Sequence, residues 1–132
     1  MKLITRDTDY ALRALCFIAR ENDKVVPASQ LVQKLKIPRP FLRKILQILH
    51  KKDILRSYKG IGGGFLLARP ANKIFLAALI EIFQGPLKLN ECFFKKMVCP
   101  HTHKCVLKKK IDSIEQYVVR NLKSITIASL LR

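Results

Sequence analysis

Residues 37 to 70 read IPRPFLRKILQILHKKDILRSYKGIGGGFLLARP, and the second half of that stretch decides how the first half is taken. A helix is expected to start near Arg39–Pro40, because proline is tolerated in a first turn, where its missing N–H has no partner to lose. Phe41, Leu42, Ile45, Ile48 and Leu49 then fall inward, and Arg39, Arg43, Lys44, Gln47 and Lys51 fall on the other side. Just upstream, VVPASQLVQKLKIP predicts a shorter helix. Pro27 opens it, Leu31, Val32 and Leu35 give it an apolar face, and Lys36-Ile37-Pro38 breaks it after about two turns. Two short helices on a tight turn, the second with a basic outer face, fit a helix-turn-helix. An ordinary amphipathic helical hairpin would show the same pattern.

The residues after the second helix separate the two readings. Leu55 to Tyr58 and Phe65 to Ala68 read as the arms of a hairpin, and four of the five glycines of the chain (Gly60, Gly62, Gly63, Gly64) crowd its tip. Glycine supplies the positive φ and close approach that a tip demands. A hairpin directly after the second helix of a helix-turn-helix is a wing. A phosphate-cradling loop is the rival, but GIGGG matches neither Walker spacing nor GxGxxG, and Pro70 stands where the following helix should begin. Residues 39 to 59 carry Arg39, Arg43, Lys44, Lys51, Lys52, Arg56 and Lys59 against one acid, Asp53. Arg39 and Arg43 are the expected base-edge readers, by the affinity of arginine for guanine. Lys44, Lys51 and Arg56 are expected on phosphates. Lys59 and Gly62 belong to the wing tip, where a cation enters a minor groove.

The rest of the chain agrees. Across 132 residues, 26 Lys+Arg stand against 9 Asp+Glu, a formal charge of +17. Such an excess repels itself unless an anion neutralises it, and nucleic acid is the first candidate. No apolar run suits a membrane span, and MKLITRDTDYALRAL lacks the apolar core of a signal peptide, so a cytoplasmic protein without structural disulfides is expected. A first helix is expected from about Thr8 to Arg20, capped by Thr8 or Asp7, with Cys16 as a small hydrophobe beside its apolar stripe. Another is expected from Leu76 to Gln84, ended by Gly85-Pro86. Leu107, Ile111, Ile114, Val118, Leu122 and Ile125 form a heptad-like seam on one long helix, read as a homodimerisation surface or, alternatively, as packing on the chain's own first helix. His50 reads as a helix-end residue. No nucleophile–base pairing or carboxylate pair is visible, so no enzyme is expected.

The segment ECFFKKMVCPHTHKC, residues 91 to 105, holds Cys92, Cys99 and Cys105, with gaps of six and five residues, and His101 and His103. Thiolates are soft donors that suit iron–sulfur clusters and zinc, and zinc sites favour shorter gaps than these. Either histidine could complete a zinc set with the three cysteines. Free thiols without metal are the third reading.

DTDYALRAL, IPRPFLRKILQIL, YKGIGGGFLLARP, LIEIFQGP and the three spaced cysteines together resemble the Rrf-two family of bacterial winged-helix regulators, over nearly the whole chain, and within it the iron–sulfur regulators of the IscR and NsrR type. The resemblance implies a mainly α fold: a winged helix-turn-helix with a small β-hairpin wing and a long C-terminal dimerisation helix. It implies a DNA-binding unit over 1–84, a cluster-binding loop over 85–106, and a dimerisation helix with tail over 107–132. It implies a homodimer that binds palindromic double-stranded promoter DNA as a repressor or regulator. It also implies an iron–sulfur cluster on Cys92, Cys99 and Cys105. The first gap is one residue longer than is usual for such members, and Lys108 stands where some carry a ligating histidine. Asp9 matches a first-helix aspartate that others contribute across the dimer, which leaves the fourth ligand, and a 2Fe-2S or 4Fe-4S cluster, open. Redox state, nitric oxide and cluster supply are the signals this implies. A zinc-stapled nucleic-acid module and a cluster-bearing electron-transfer protein are the alternatives from other classes.

Overall fold

A computed structural model describes residues 3–87 and 106–131. Five α-helices and one hairpin follow the order α1 (Arg6–Arg20), α2 (Ala28–Leu35), α3 (Arg39–Lys51), β1 (Leu55–Tyr58), β2 (Gly64–Leu67), α4 (Leu76–Gln84) and α5 (Val106–Ser124). Short 3-10 turns sit at Ala71–Lys73 and Ala128–Leu130. This is the mainly α winged helix-turn-helix.

The turn between α2 and α3 rests on Lys36, which takes the left-handed conformation (φ 55°) and donates its N–H to the Val32 carbonyl at 3.0 Å. Closing the helix this way redirects the chain within three residues, and Pro38 and Pro40 then start α3. Leu42, Ile45, Leu46 and Leu49 of α3 are buried, against Ala11, Ala14, Leu15 and Ile18 of α1 and Leu31 of α2 in one core. Two inward assignments change. Phe41 is exposed, with the Arg6 guanidinium 4.5 Å over its ring, and Ile48 is only half-buried. Leu46 takes the buried position instead, because the core axis of the helix is centred between Leu42, Ile45, Leu46 and Leu49, and Phe41 and Ile48 stand at its margin.

The hairpin pairs Leu55 with Leu67 and Tyr58 with Gly64, so β2 begins one residue earlier than the sequence suggests. It begins there because β2 has a second partner: Val26 and Phe65 exchange both backbone hydrogen bonds, at 3.0 and 2.8 Å. A Cβ on Gly64 would collide with the Val26 backbone, so this close approach requires glycine.

α1 begins at Arg6, two residues ahead of expectation, with Thr5 as N-cap and no side-chain cap. Thr8 is not a cap. It is fully buried, and its hydroxyl donates to Gln84 Oε1 at the end of α4 at 2.6 Å. The same Oε1 accepts the Thr5 N–H at 2.9 Å, and Gln84 Nε2 donates to the Leu3 carbonyl at 3.1 Å. The start of α1 and the end of α4 are thereby stitched together.

The α5 seam divides. Leu122 is buried against Leu76 and Ile80 of α4, with Val118 and Ile125 beside it. Leu107 and Ile114, on the same face, remain 67% and 54% exposed. Beyond α5 the tail returns to the core. Ile127 is fully buried, its N–H bonds the Ile74 carbonyl at 2.9 Å, and the Leu76 N–H bonds the Ile125 carbonyl at 3.0 Å.

Candidate nucleic-acid interface and metal-ligand segment

The outer face of α3 is made by its own periodicity. Once Leu42, Ile45, Leu46 and Leu49 face the core, Arg39, Arg43, Lys44 and Lys51 must face away, and all four are exposed. Arg56 and Lys59 are exposed on β1 and at the base of the wing tip. Among the described residues none of these six cations is ion-paired to a carboxylate, whereas Asp7, Asp9 and Asp112 pair with Arg6, Arg13 and Lys108. The tip closes through the Gly63 N–H on the Gly60 carbonyl at 3.0 Å, with positive φ at Gly60 and Gly62. Gly62 stands in open space at the outermost turn.

The structure brings part of the expected set together. Arg43 and Lys59 line one cleft between α3 and the wing, with Gln47, His50 and Ser57. Arg56 lines the neighbouring cleft with Asp53, Tyr58 and Arg69. Arg39, Lys44 and Lys51 stand on α3 outside these two clefts. The base of the wing is tied to α3 by two side chains. His50 Nδ1 lies 3.2 Å from the Leu55 carbonyl, and Arg69 Nε bonds the Asp53 carbonyl at 3.2 Å. Asp53 has φ 60°, so the chain leaves α3 through a left-handed residue that Arg69 holds from behind. Periodicity had no means of finding Arg69, since it acts from 16 residues downstream.

Asp9 sits in the first turn of α1, its Oδ2 3.0 Å from Arg13 Nε. The pair is exposed, so it holds the carboxylate only loosely. Cys92, Cys99, Cys105, His101 and His103 lie outside the described residues. Among the described residues no group of three or more His, Cys, Asp or Glu could hold a metal. The donor chemistry can still be weighed. Three thiolates with one carboxylate are donors that iron accepts, and they fit an iron–sulfur cluster in kind. Their segment is bounded by α4, stitched to α1 through Gln84, and by α5, which starts directly after Cys105. Cys16, the fourth cysteine, is half-buried on α1, and burial pushes its thiol up against the opposing pull of Arg20. A thiol held protonated is a poor metal ligand.

A family model described as "Iron-dependent Transcriptional regulator" matches residues 4–132. The chain belongs to the Rrf2 family. Relatives carry the same reading across most of their length. One, described as an HTH-type transcriptional regulator of Aquifex aeolicus (strain VF5), is 32% identical over 124 residues, covering 92% of this chain and 86% of its own. Another, the HTH-type transcriptional regulator NsrR of Oceanobacillus iheyensis, is 30% identical over 127 residues, covering 95% and 86%. Among solved structures, CymR, the global cysteine regulator of B. subtilis, superposes with a TM-score of 0.83 at 20% identity, over 99% of this chain and 97% of that one. T. potens IscR gives 0.76 at 22% identity, over 99% and 86%. These two likenesses speak for the fold. This Rrf2 chain is thus of a transcription-regulator family, which implies DNA binding. Among the described residues no helix is long and apolar enough to cross a membrane.

Proposed function

We propose that this Rrf2 regulator is a homodimer that reads a palindromic site in double-stranded promoter DNA and senses through an iron–sulfur cluster. α3 enters the major groove, where Arg39 and Arg43 meet base edges, while Lys44, Lys51 and Arg56 take phosphates. The wing follows the adjacent minor groove with Lys59 and Gly62. The observation that carries the reading is the row of exposed cations on α3 and the wing with no carboxylate partner among the described residues. A positive surface left uncompensated by the protein is compensated by phosphate, with release of counterions.

The exposed half of the α5 seam supports the dimer. α5 has 19 residues and α4 has 9, so α4 spans about 14 Å beside a helix of about 29 Å. α4 therefore reaches only the Leu122 end. A second α5 would cover Leu107 and Ile114, and so fix the distance between two α3 helices near the ~34 Å of successive major grooves. Cys92, Cys99 and Cys105 would hold the cluster, with Asp9 as fourth donor across the dimer. When bound, such a cluster supplies an iron centre sensitive to redox change and to nitric oxide. The chain's own part is to carry the loop ends, through the Gln84 stitch to α1 and through α5. This organisation keeps 1–84 as the reading unit, 85–106 as the ligand loop and 107–132 as the pairing helix and tail. His101 and His103 offer zinc a competing donor set. Iron and acid-labile sulfide on anaerobically purified protein support the cluster, and stoichiometric zinc without sulfide contradicts it.

DNA reading is tested by affinity for a duplex selected from a random pool, measured against salt. The logarithm of the binding constant should fall with that of salt by roughly 0.9 per phosphate contact. Lys59→Ala and Arg43→Ala should each weaken binding, with a slope shallower by about one. Unchanged affinity and slope in both variants would remove α3 and the wing from the interface.

A further inference from the structure

A helix in the major groove and a wing in the next minor groove must straddle the sugar–phosphate strand that divides them. The cleft between α3 and the wing is therefore where that strand would pass. His50 lines it, on the last turn of α3, together with Arg43, Gln47, Ser57 and Lys59. The His50 ring is oriented by the Leu55 carbonyl, 3.2 Å from Nδ1. A carbonyl only accepts, so Nδ1 carries the hydrogen of that bond and Nε2 is the ring nitrogen left to meet a ligand. Neutral, Nε2 offers a lone pair, which repels a phosphate oxygen. Protonated, it offers an N–H and a positive charge.

We propose that His50 is a proton-dependent phosphate contact, which grips the backbone strand in the α3–wing cleft only as imidazolium. The inference rests on the DNA reading proposed above. The charged and titratable groups around His50 are Arg43 of α3, Lys59 at the wing, Arg56 and Tyr58 of β1, Asp53 in the turn and Arg69 after β2. A docked phosphate oxygen accepts a hydrogen bond from Nε2 only when that atom carries hydrogen, so binding favours the imidazolium. Binding that favours the protonated form strengthens as pH falls and weakens as pH rises.

The experiment compares untagged full-length wild type, His50→Gln and His50→Arg, each checked for folding by circular dichroism. Affinity for the selected duplex is read at pH 5.5 and 8.5 across a salt series. For wild type we expect roughly tenfold tighter binding at the lower pH beyond any change shown by His50→Gln. Its salt slope should steepen by about 0.9 relative to that variant. His50→Arg should hold the tighter affinity at both values. Equal pH dependence in wild type and His50→Gln overturns the inference while leaving DNA reading intact. Absence of duplex binding by all three proteins overturns both.

Discussion

Thr8 is the fully buried polar side chain among the described residues, and it survives burial because its hydroxyl donates a hydrogen bond to Gln84 Oε1 at 2.6 Å. A buried hydroxyl left without a partner costs about 1–3 kcal/mol. Gln84→Leu removes the shared acceptor of the Thr8 hydroxyl and the Thr5 N–H and leaves Thr8 only the Thr5 hydroxyl at 3.2 Å, so a loss towards the lower end of that range should appear in a thermal or urea melt. Thr8→Val in the same background should recover part of it, by removing that hydroxyl. Gly64 makes a second case. Gly64→Ala pushes a Cβ into the Val26 backbone, which cannot swing aside as a side chain could, and should cost about 1–3 kcal/mol. Gly62 has open space around it, so Gly62→Ala meets only the penalty of its positive φ. The Thr8 role was not legible in the sequence. A threonine three residues after another at a helix start reads as a cap, and the partner that makes it a buried stitch lies 76 residues away. Phe41 was misplaced for a related reason: periodicity puts it at the edge of the core, and the partner over its exposed ring, Arg6, comes from another helix.

At the scale of elements, the boundaries that came through were those punctuated by strong local chemistry. β1 from Leu55 to Tyr58 and α4 from Leu76 to Gln84 match expectation, because glycine-rich turns and Gly85-Pro86 leave the backbone little choice. The seam of α5 was legible as a stripe but not as two surfaces, since a stripe carries no information on what covers it. Its halves should respond differently to mutation. Leu122→Ala hollows the contact with Leu76 and Ile80 and should cost the fold about 2–4 kcal/mol. Leu107→Glu with Ile114→Glu touches only exposed positions, so stability within one chain should change little, while analytical ultracentrifugation should report the loss of the dimer. A double variant that sediments like wild type would place the pairing surface elsewhere.

At the scale of the molecule, 26 Lys+Arg against 9 Asp+Glu leave too few acids to pair every base, so positive charge is presented outward on α3 and the wing. The winged-helix architecture and the cationic face of the site were legible because both are written in short-range patterns. What the three cysteines of residues 91–105 bind was not legible, because they state which donors are available and not how the chain would wrap a ligand. α1 joins the two ends of the molecule: it carries Asp9, receives the Gln84 stitch from the root of the thiol segment, and sets Arg6 against Phe41 in the first turn of α3. Under the proposed function, a cluster held by Cys92, Cys99 and Cys105 would change how α3 and the wing meet DNA. The most direct measurement is duplex affinity of one anaerobic preparation, with iron and sulfide counted, before and after chelation of the metal. Iron with acid-labile sulfide is the predicted content, and the affinity should change about fivefold or more on their loss. An affinity that stays the same while iron and sulfide are stripped away would contradict the claim.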